Sequence, residues 1–279
     1  MRTCPKCKKT QSVRAGFRRN KSGLIQKYKC THCNHFFVKR NGFERMRTRS
    51  DVIVCALDMR AKGMSLGKIV DHLKTMYNYN VSRQTILDWQ NKFGERIESF
   101  TKHFTLESSY SSHADEVFLR VKGSHVDEFI YYWDCIDYDT KFLVADHISN
   151  ARTDEHAEIF LKNIRSRLRK QPIQIHTDNS HDYFPTVKKI LPYSVHMHFP
   201  AWRKKFKNNP IERFHNTLKE NYKVIRKYHS ISSAYKHLVF IRNYYNFLRP
   251  HQSLGGLTPA QKAGFGGWTW WSIIKKLLC

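Results

Sequence analysis

Two Cys-x-x-Cys turns constrain the start of this chain more than any other feature. Cys4-Pro5-Lys6-Cys7 is followed, after 22 residues, by Cys30-Thr31-His32-Cys33. Each turn sets two thiolates on one side of a tight loop. Two such turns supply four soft ligands in the tetrahedral arrangement that zinc prefers. The stretch between them alternates around Gln26-Lys27-Tyr28-Lys29, which suits hairpin strands, and Phe36-Phe37-Val38 suits a third. Residues 1–42 are therefore predicted to form a zinc ribbon holding one structural Zn²⁺ through Cys4, Cys7, Cys30 and Cys33. A redox role for the pairs lacks the βαβ pattern it needs. His32 and His35 are rival ligands, but four thiolates already close the site. So few residues bury little apolar surface, so the ion must supply much of the folding energy.

The remaining composition narrows the partner. The formal net charge is +26 over 279 residues. Such a charge repels itself unless a polyanion is near, which makes nucleic acid the leading partner. The charge is uneven. Residues 1–50 carry 15 Lys and Arg against one acid, and residues 201–250 carry 12 against two. Residues 101–150 invert this, with nine acids and four bases. Two basic blocks thus flank an acidic middle suited to cations. Cys55, Cys135 and Cys279 are scattered, which fits a reducing compartment rather than a disulfide framework. No run of 18 apolar residues and no signal-peptide core are present, so a cytoplasmic protein with no membrane partner is expected.

Residues 45–105 read as helical. One helix runs from Asp51 to about Ala61 and ends at Gly63. Ser65 can cap a second, with Leu66, Ile69, Val70 and Leu73 at helical spacing. Ser82 can cap a third, with Ile86, Trp89 and Phe93 inward. This is helix-turn-helix spacing, an ordinary three-helix bundle being the alternative. On the third helix Arg83, Gln84, Gln90 and Asn91 are expected to face outward toward DNA.

The pattern then changes to strands. His113–Lys122 alternates, with Val117, Leu119 and Val121 on one face. Phe129–Ile136 and Phe142–Ile148 are further strands, a helix follows Thr153, and Pro172–His176 is a short buried strand ending at Thr177-Asp178-Asn179. Glu212 lies near the start of a strong helix with the stripe Ile211, Phe214, Leu218, Tyr222 and Ile225. Glu212, His215 and Lys219 share one face of it. Meandering strands, a crossover helix and a further strand predict an α/β fold with an RNase H-like mixed five-stranded sheet.

Here the sequence resembles a known family. Ala114-Asp115-Glu116-Val117, His176-Thr177-Asp178-Asn179, Asn209-Pro210-Ile211-Glu212-Arg213-Phe214-His215 and Tyr245-Asn246-Phe247-Leu248-Arg249-Pro250-His251 follow the order of motifs in the DDE transposase/integrase core of insertion sequences. Glu212 stands 34 positions after Asp178, which resembles the DD34E subgroup. The resemblance covers about residues 110–264 and implies that Asp115, Asp178 and Glu212 hold two Mg²⁺ or Mn²⁺ ions. It also implies double-stranded DNA as substrate, cleavage and strand transfer as reactions, and a homo-oligomer at least dimeric on DNA, in a prokaryotic cytoplasm beside the nucleoid.

Each acid has a plainer reading. Asp115 and Asp178 are also turn-compatible, Glu212 also suits a capping box, and Asp134 and Asp137 are rival first carboxylates. Glu116 points to the opposite strand face from Asp115 and is left out of the expected metal site. Lys204, Lys205, Arg213, His215 and Lys219 are candidate DNA contacts. A non-catalytic DNA-binding regulator derived from a transposase is the alternative function. Residues 265–279, rich in Trp and Lys, suit either a protomer contact or a loosely packed end.

Overall fold

The computed structural model describes residues 3–20, 23–38, 42–43, 46–123, 127–178, 183–198 and 209–276. Its N-terminal unit is a three-stranded antiparallel sheet of β1 (Ser12–Asn20), β2 (Gly23–Cys30) and β3 (Phe36–Val38). A bulge between Arg14 and Phe17 includes Gly16 at φ +75°, a backbone conformation glycine adopts without strain. Val13, Phe17, Leu24 and Phe36 are all exposed, whereas Cys4 and Cys30 are buried.

Three helices follow: α1 (Ser50–Ala61), α2 (Leu66–Tyr77) and α3 (Arg83–Thr101). The expected caps form. The Ser65 hydroxyl accepts from the Lys68 amide and the Ser82 hydroxyl from the Thr85 amide. Ile53, Leu57, Ile69, Leu73, Ile86, Trp89 and Phe93 turn inward as their spacing required.

The larger unit is a five-stranded sheet in the order β6-β5-β4-β7-β8. It comprises β4 (Ser111–Lys122), β5 (Asp127–Asp137), β6 (Leu143–Ser149), β7 (Gln174–Thr177) and β8 (Val195–His198). The first three meander antiparallel, and β7 and β8 join parallel. This is the RNase H-like arrangement. One face carries α4 (Asp154–Arg167) and α5 (Phe184–Ile190), whose side chains meet Trp133 through Phe160 and through Tyr183 just before α5. The other face carries α6 (Asn209–Lys223) and α7 (Ile231–Phe247). Val117, Leu119 and Val121 of β4 and Ile211, Phe214 and Leu218 of α6 are buried there.

The helices α1–α3 share this core. A side chain at Gly94 of α3 would meet Phe240 of α7 at 3.3 Å, so the two helices pack closely. Thr101 bonds Asn243, and Glu98 pairs with Arg242. Asn246 ties α7 to the sheet, accepting from the Leu143 amide and donating to its carbonyl. After a short helix α8 (Pro259–Lys262), the C-terminal segment is packed within the chain. In α9 (Trp270–Lys276), Trp270 lies against Phe240 and Tyr244 and donates to Asp58 of α1. Trp268 meets Phe100. Among the described residues no helix is long and apolar enough to cross a membrane.

A candidate metal centre on the central strand

Asp115 and Glu116 sit midway along β4, the central strand. Directly across on β5 is Asp134, and across from that on β6 is Asp146. Three carboxylates in one row of a sheet repel each other, and two helices each answer with a basic side chain. His215 of α6 sets Nε2 2.8 Å from Asp134 Oδ2 and Nδ1 3.9 Å from Asp115 Oδ2. Arg242 of α7 pairs with Asp146 and reaches Glu98. Burial alone would lower the His215 pKa, but Asp134 outweighs it and holds it above the ordinary value.

β7 delivers the next acid. Its last hydrogen-bonded rung with β4 is His113 opposite His176, so Asp178, two residues on, arrives beside Asp115. Oxygens of Asp115, Glu116 and Asp178 all lie within 4.8 Å of one another. Glu116, set by strand alternation on the opposite face and left out of the expected metal site, is nonetheless within this cluster. It does face the opposite side, where Tyr183 donates to it at 3.1 Å. Yet β4 has no β7 neighbour beyond His113, and along that open edge the carboxylate comes close to Asp178.

Arg152, between β6 and α4, joins the two. Its Nη2 is 2.5 Å from Glu116 Oε1 and 2.9 Å from Asp178 Oδ2. Burial pushes the Asp115 carboxyl up to about 6, against the opposing pull of His215. Burial pushes Glu116 up to about 7, against Arg152. Clustered, partly desolvated carboxylate oxygens of this kind are the donor set that hard divalent cations take.

The remaining expected residues divide. Glu212 lies in the first turn of α6, exposed, outside the three-acid cluster. It is one turn before His215, which reaches Asp115. His215 is buried against Asp134 and is no surface contact for DNA. Gln90 is likewise turned inward, where its side-chain oxygen accepts from Arg60 at 2.9 Å, so it too is corrected as a DNA contact. Arg83, Gln84, Arg213 and Lys219 are exposed and Asn91 is half-buried. Lys204 and Lys205 lie outside the described residues. Asp137 holds the β5–β6 turn, accepting from the amides of Ser109 and Thr140, and Asp134 serves His215, which leaves Asp115 as the acid beside Asp178. Sequence reading missed Glu116 and Arg152. The Asp115-Glu116 doublet was a signal for the first, whereas nothing local marks an arginine in a loop.

The second cluster is in the N-terminal unit. Sulfurs of Cys4, Cys7, Cys30 and Cys33 lie within 4.8 Å of one another, with Cys4–Cys33 at 3.6 Å and Cys7–Cys30 at 3.5 Å. Tetrahedral zinc, with bonds of about 2.3 Å, requires sulfur separations of about 3.8 Å. The Cys33 amide pulls the Cys30 thiol down to about 6, toward the thiolate that a metal needs.

Residues 109–249, just over half of the chain, match the family model of the DDE domain of IS240-type transposases. The chain belongs to the DDE transposase family. The chain is similar to the catalytic core domain of BIV integrase, at 14% identity and a TM-score of 0.41, over 57% of this chain and 95% of that one. It is also similar to the HTLV-2 integrase catalytic core domain in complex with magnesium, at 17% identity and 0.38, over 57% and 99%. A third likeness is to the simian T-cell lymphotropic virus intasome in complex with PP2A regulatory subunit B56 gamma, at 12% identity and 0.42, over 75% and 73%. No curated protein sequence matches the chain.

Proposed function

We propose that this DDE-family chain is an active transposase that binds the DNA ends of its element and cuts and joins phosphodiester bonds at Asp115, Asp178 and Glu212. The carrying observation is that Asp115 and Asp178, far apart in sequence, meet at the centre of a DDE-domain sheet. Two divalent ions there, Mg²⁺ or Mn²⁺, would activate the attacking oxygen and stabilise the departing one. Asp115 and Asp178 supply hard ligands, and Glu212 would close toward them from α6, whose roll is fixed by the His215–Asp134 bond. Attack by water breaks the P–O3′ bond and leaves a 3′-hydroxyl and a 5′-phosphate. Attack by that 3′-hydroxyl on a second duplex forms a new P–O bond and releases a 3′-hydroxyl there.

DNA reading falls to the N-terminal units. The four thiolates would hold one zinc ion that fixes the basic hairpin carrying Arg14, Arg18 and Arg19. The α2–α3 pair would act as a helix-turn-helix, with Arg83, Gln84 and Asn91 toward DNA. The working form would be a homo-oligomer on paired ends. The test is divalent-dependent nicking of duplex DNA carrying the element ends. Asp178→Asn is expected to abolish nicking and to leave DNA affinity intact. Normal nicking by that variant would overturn the assignment.

A further inference from the structure

The glutamate helix has a second polar flank. Glu212, His215 and Lys219 lie on one side of α6, while Pro210, Arg213 and Thr217, also three and four residues apart, lie on the other. This second flank forms one wall of a groove of about 460 Å³. The β5–β6 turn, with Tyr138 and Lys141, and the end of α7 through Ser253 form the rest. No lining residue is acidic. Among the described residues no carboxylate lies within ion-pair distance of Lys141, Arg213 or Arg249.

Neutral groups hold two of these cations in place. Arg249 donates to the Thr217 hydroxyl at 2.7 Å. Lys141 donates to the Tyr138 carbonyl at 2.5 Å and sits 4.1 Å over its ring. The charges feel one another. Burial lowers the Lys141 pKa against the opposing pull of Asp139 and Asp137, and Arg213 lowers it further. Burial, then Arg249, push His251 down to about 4, so it stays neutral at the groove floor. Three positive charges converge with no carboxylate in ion-pair contact and only Asp139 and Asp137 acting on Lys141 from farther off, which raises the energy of the free protein, and an anion relieves it.

We infer that this groove is a phosphodiester-binding subsite, in which Lys141, Arg213 and Arg249 neutralise backbone phosphates of a DNA strand crossing the first turn of α6. The inference rests on the DNA-processing reading above. It extends that reading to a surface on the far side of α6 from the carboxylates. Contacts to phosphate carry no sequence information. The groove therefore grips element-end and unrelated duplexes alike.

The test is equilibrium binding of the full chain to fluorescent duplexes without divalent ions, over a range of salt. Removing the cation from one phosphate reduces the slope of log affinity against log salt by about 0.9. Lys141→Gln and Arg213→Gln should each show that reduction, equally on both duplexes, and the double variant about twice as much. Arg249→Gln should behave likewise and Arg249→Lys should restore the slope, which separates charge from the hydrogen bond to Thr217. Lys62→Gln, at a lysine already paired with Asp58, should leave the slope unchanged. Wild-type slopes for Lys141→Gln and Arg213→Gln, with folding verified by circular dichroism, would overturn the inference. So would thermal stabilisation by inorganic phosphate that needs these residues while the DNA slopes stay fixed, since the occupant would then be a free anion. Because no cleavage is read, nicking by Asp178→Asn would sink the catalytic assignment without touching this result.

Discussion

Two clusters of metal-type ligands lie among the described residues, and they stand in opposite relations to the fold. In the N-terminal unit the thiolates are the core: Cys4 and Cys30 are buried, while Val13, Phe17, Leu24 and Phe36 are exposed. In the DDE domain the acids are guests on a sheet already secured by Val117, Leu119, Trp133, Phe160 and Phe214. The first site is expected to be needed for residues 3–38 to fold, and the second to burden a fold that stands without it. Asp115 and Glu116 are carboxyls pushed up to about 6 and about 7 by burial, which is the electrostatic mark of that burden.

The largest expected effect tests the first half of this contrast. A structural zinc ion contributes on the order of 10–16 kcal/mol to folding at neutral pH, far more than residues 3–38 can gain from their few buried groups. Chelation, or Cys30→Ser, should bring amides of β1–β3 to unfolded rates of hydrogen exchange while β4–β7 keep their protection. Retained protection in the ribbon would break the comparison.

Next in size is a contrast within the DDE domain. His215→Ala leaves Asp134 buried and unpaired, which costs about 3–5 kcal/mol. Asp178→Asn touches a half-exposed group and should change stability by roughly 0.5 kcal/mol or less. Denaturant unfolding of both variants checks the pair. Equal losses would mean that Asp178, too, is structural.

No larger, but sharper, is the pH dependence. Glu116 and Asp115 have folded pKa values above their ordinary ones, so the folded state binds their protons more tightly. Their stabilising contribution is full below about pH 4, falls as pH rises toward about 7, and levels off above it. Without divalent ions the melting temperature should therefore decline between pH 5 and 7.5. At roughly 2–4 °C per kcal/mol for a chain of this size, the shifts of Asp115 and Glu116 correspond to a decline on the order of 10 °C. Glu116→Gln should flatten part of it. An unchanged slope in that variant would show that Glu116 is not crowded by its neighbours.

These contrasts also explain what the sequence disclosed. The thiol turns, the helix caps at Ser65 and Ser82, the β4 alternation and the α6 stripe each follow from spacing alone, and each has its counterpart in the structure. Strand alternation set Glu116 on the right face but could not show its nearness to Asp178, because β7 pairs with β4 only as far as His113 and leaves that edge open. A reading that sends polar residues to the surface misjudged His215 and Gln90, whose partners Asp134 and Arg60 come from distant segments. Arg152 carries no local pattern. The short elements α5 and β8, of seven and four residues, have too little periodicity to stand out. The C-terminal segment, ambiguous in sequence, is fixed by contacts with Asp58, Phe100 and Tyr244.

The most direct measurement is anomalous diffraction from crystals of the wild-type chain grown with Mn²⁺. Two manganese peaks about 3.5–4 Å apart, bounded by Asp115, Asp178 and Glu212, are expected, with Glu212 drawn in from the flank of α6. A single ion held by Asp115, Glu116 and Asp178 with Glu212 still turned to solvent, or no peak at all, would contradict the proposed centre.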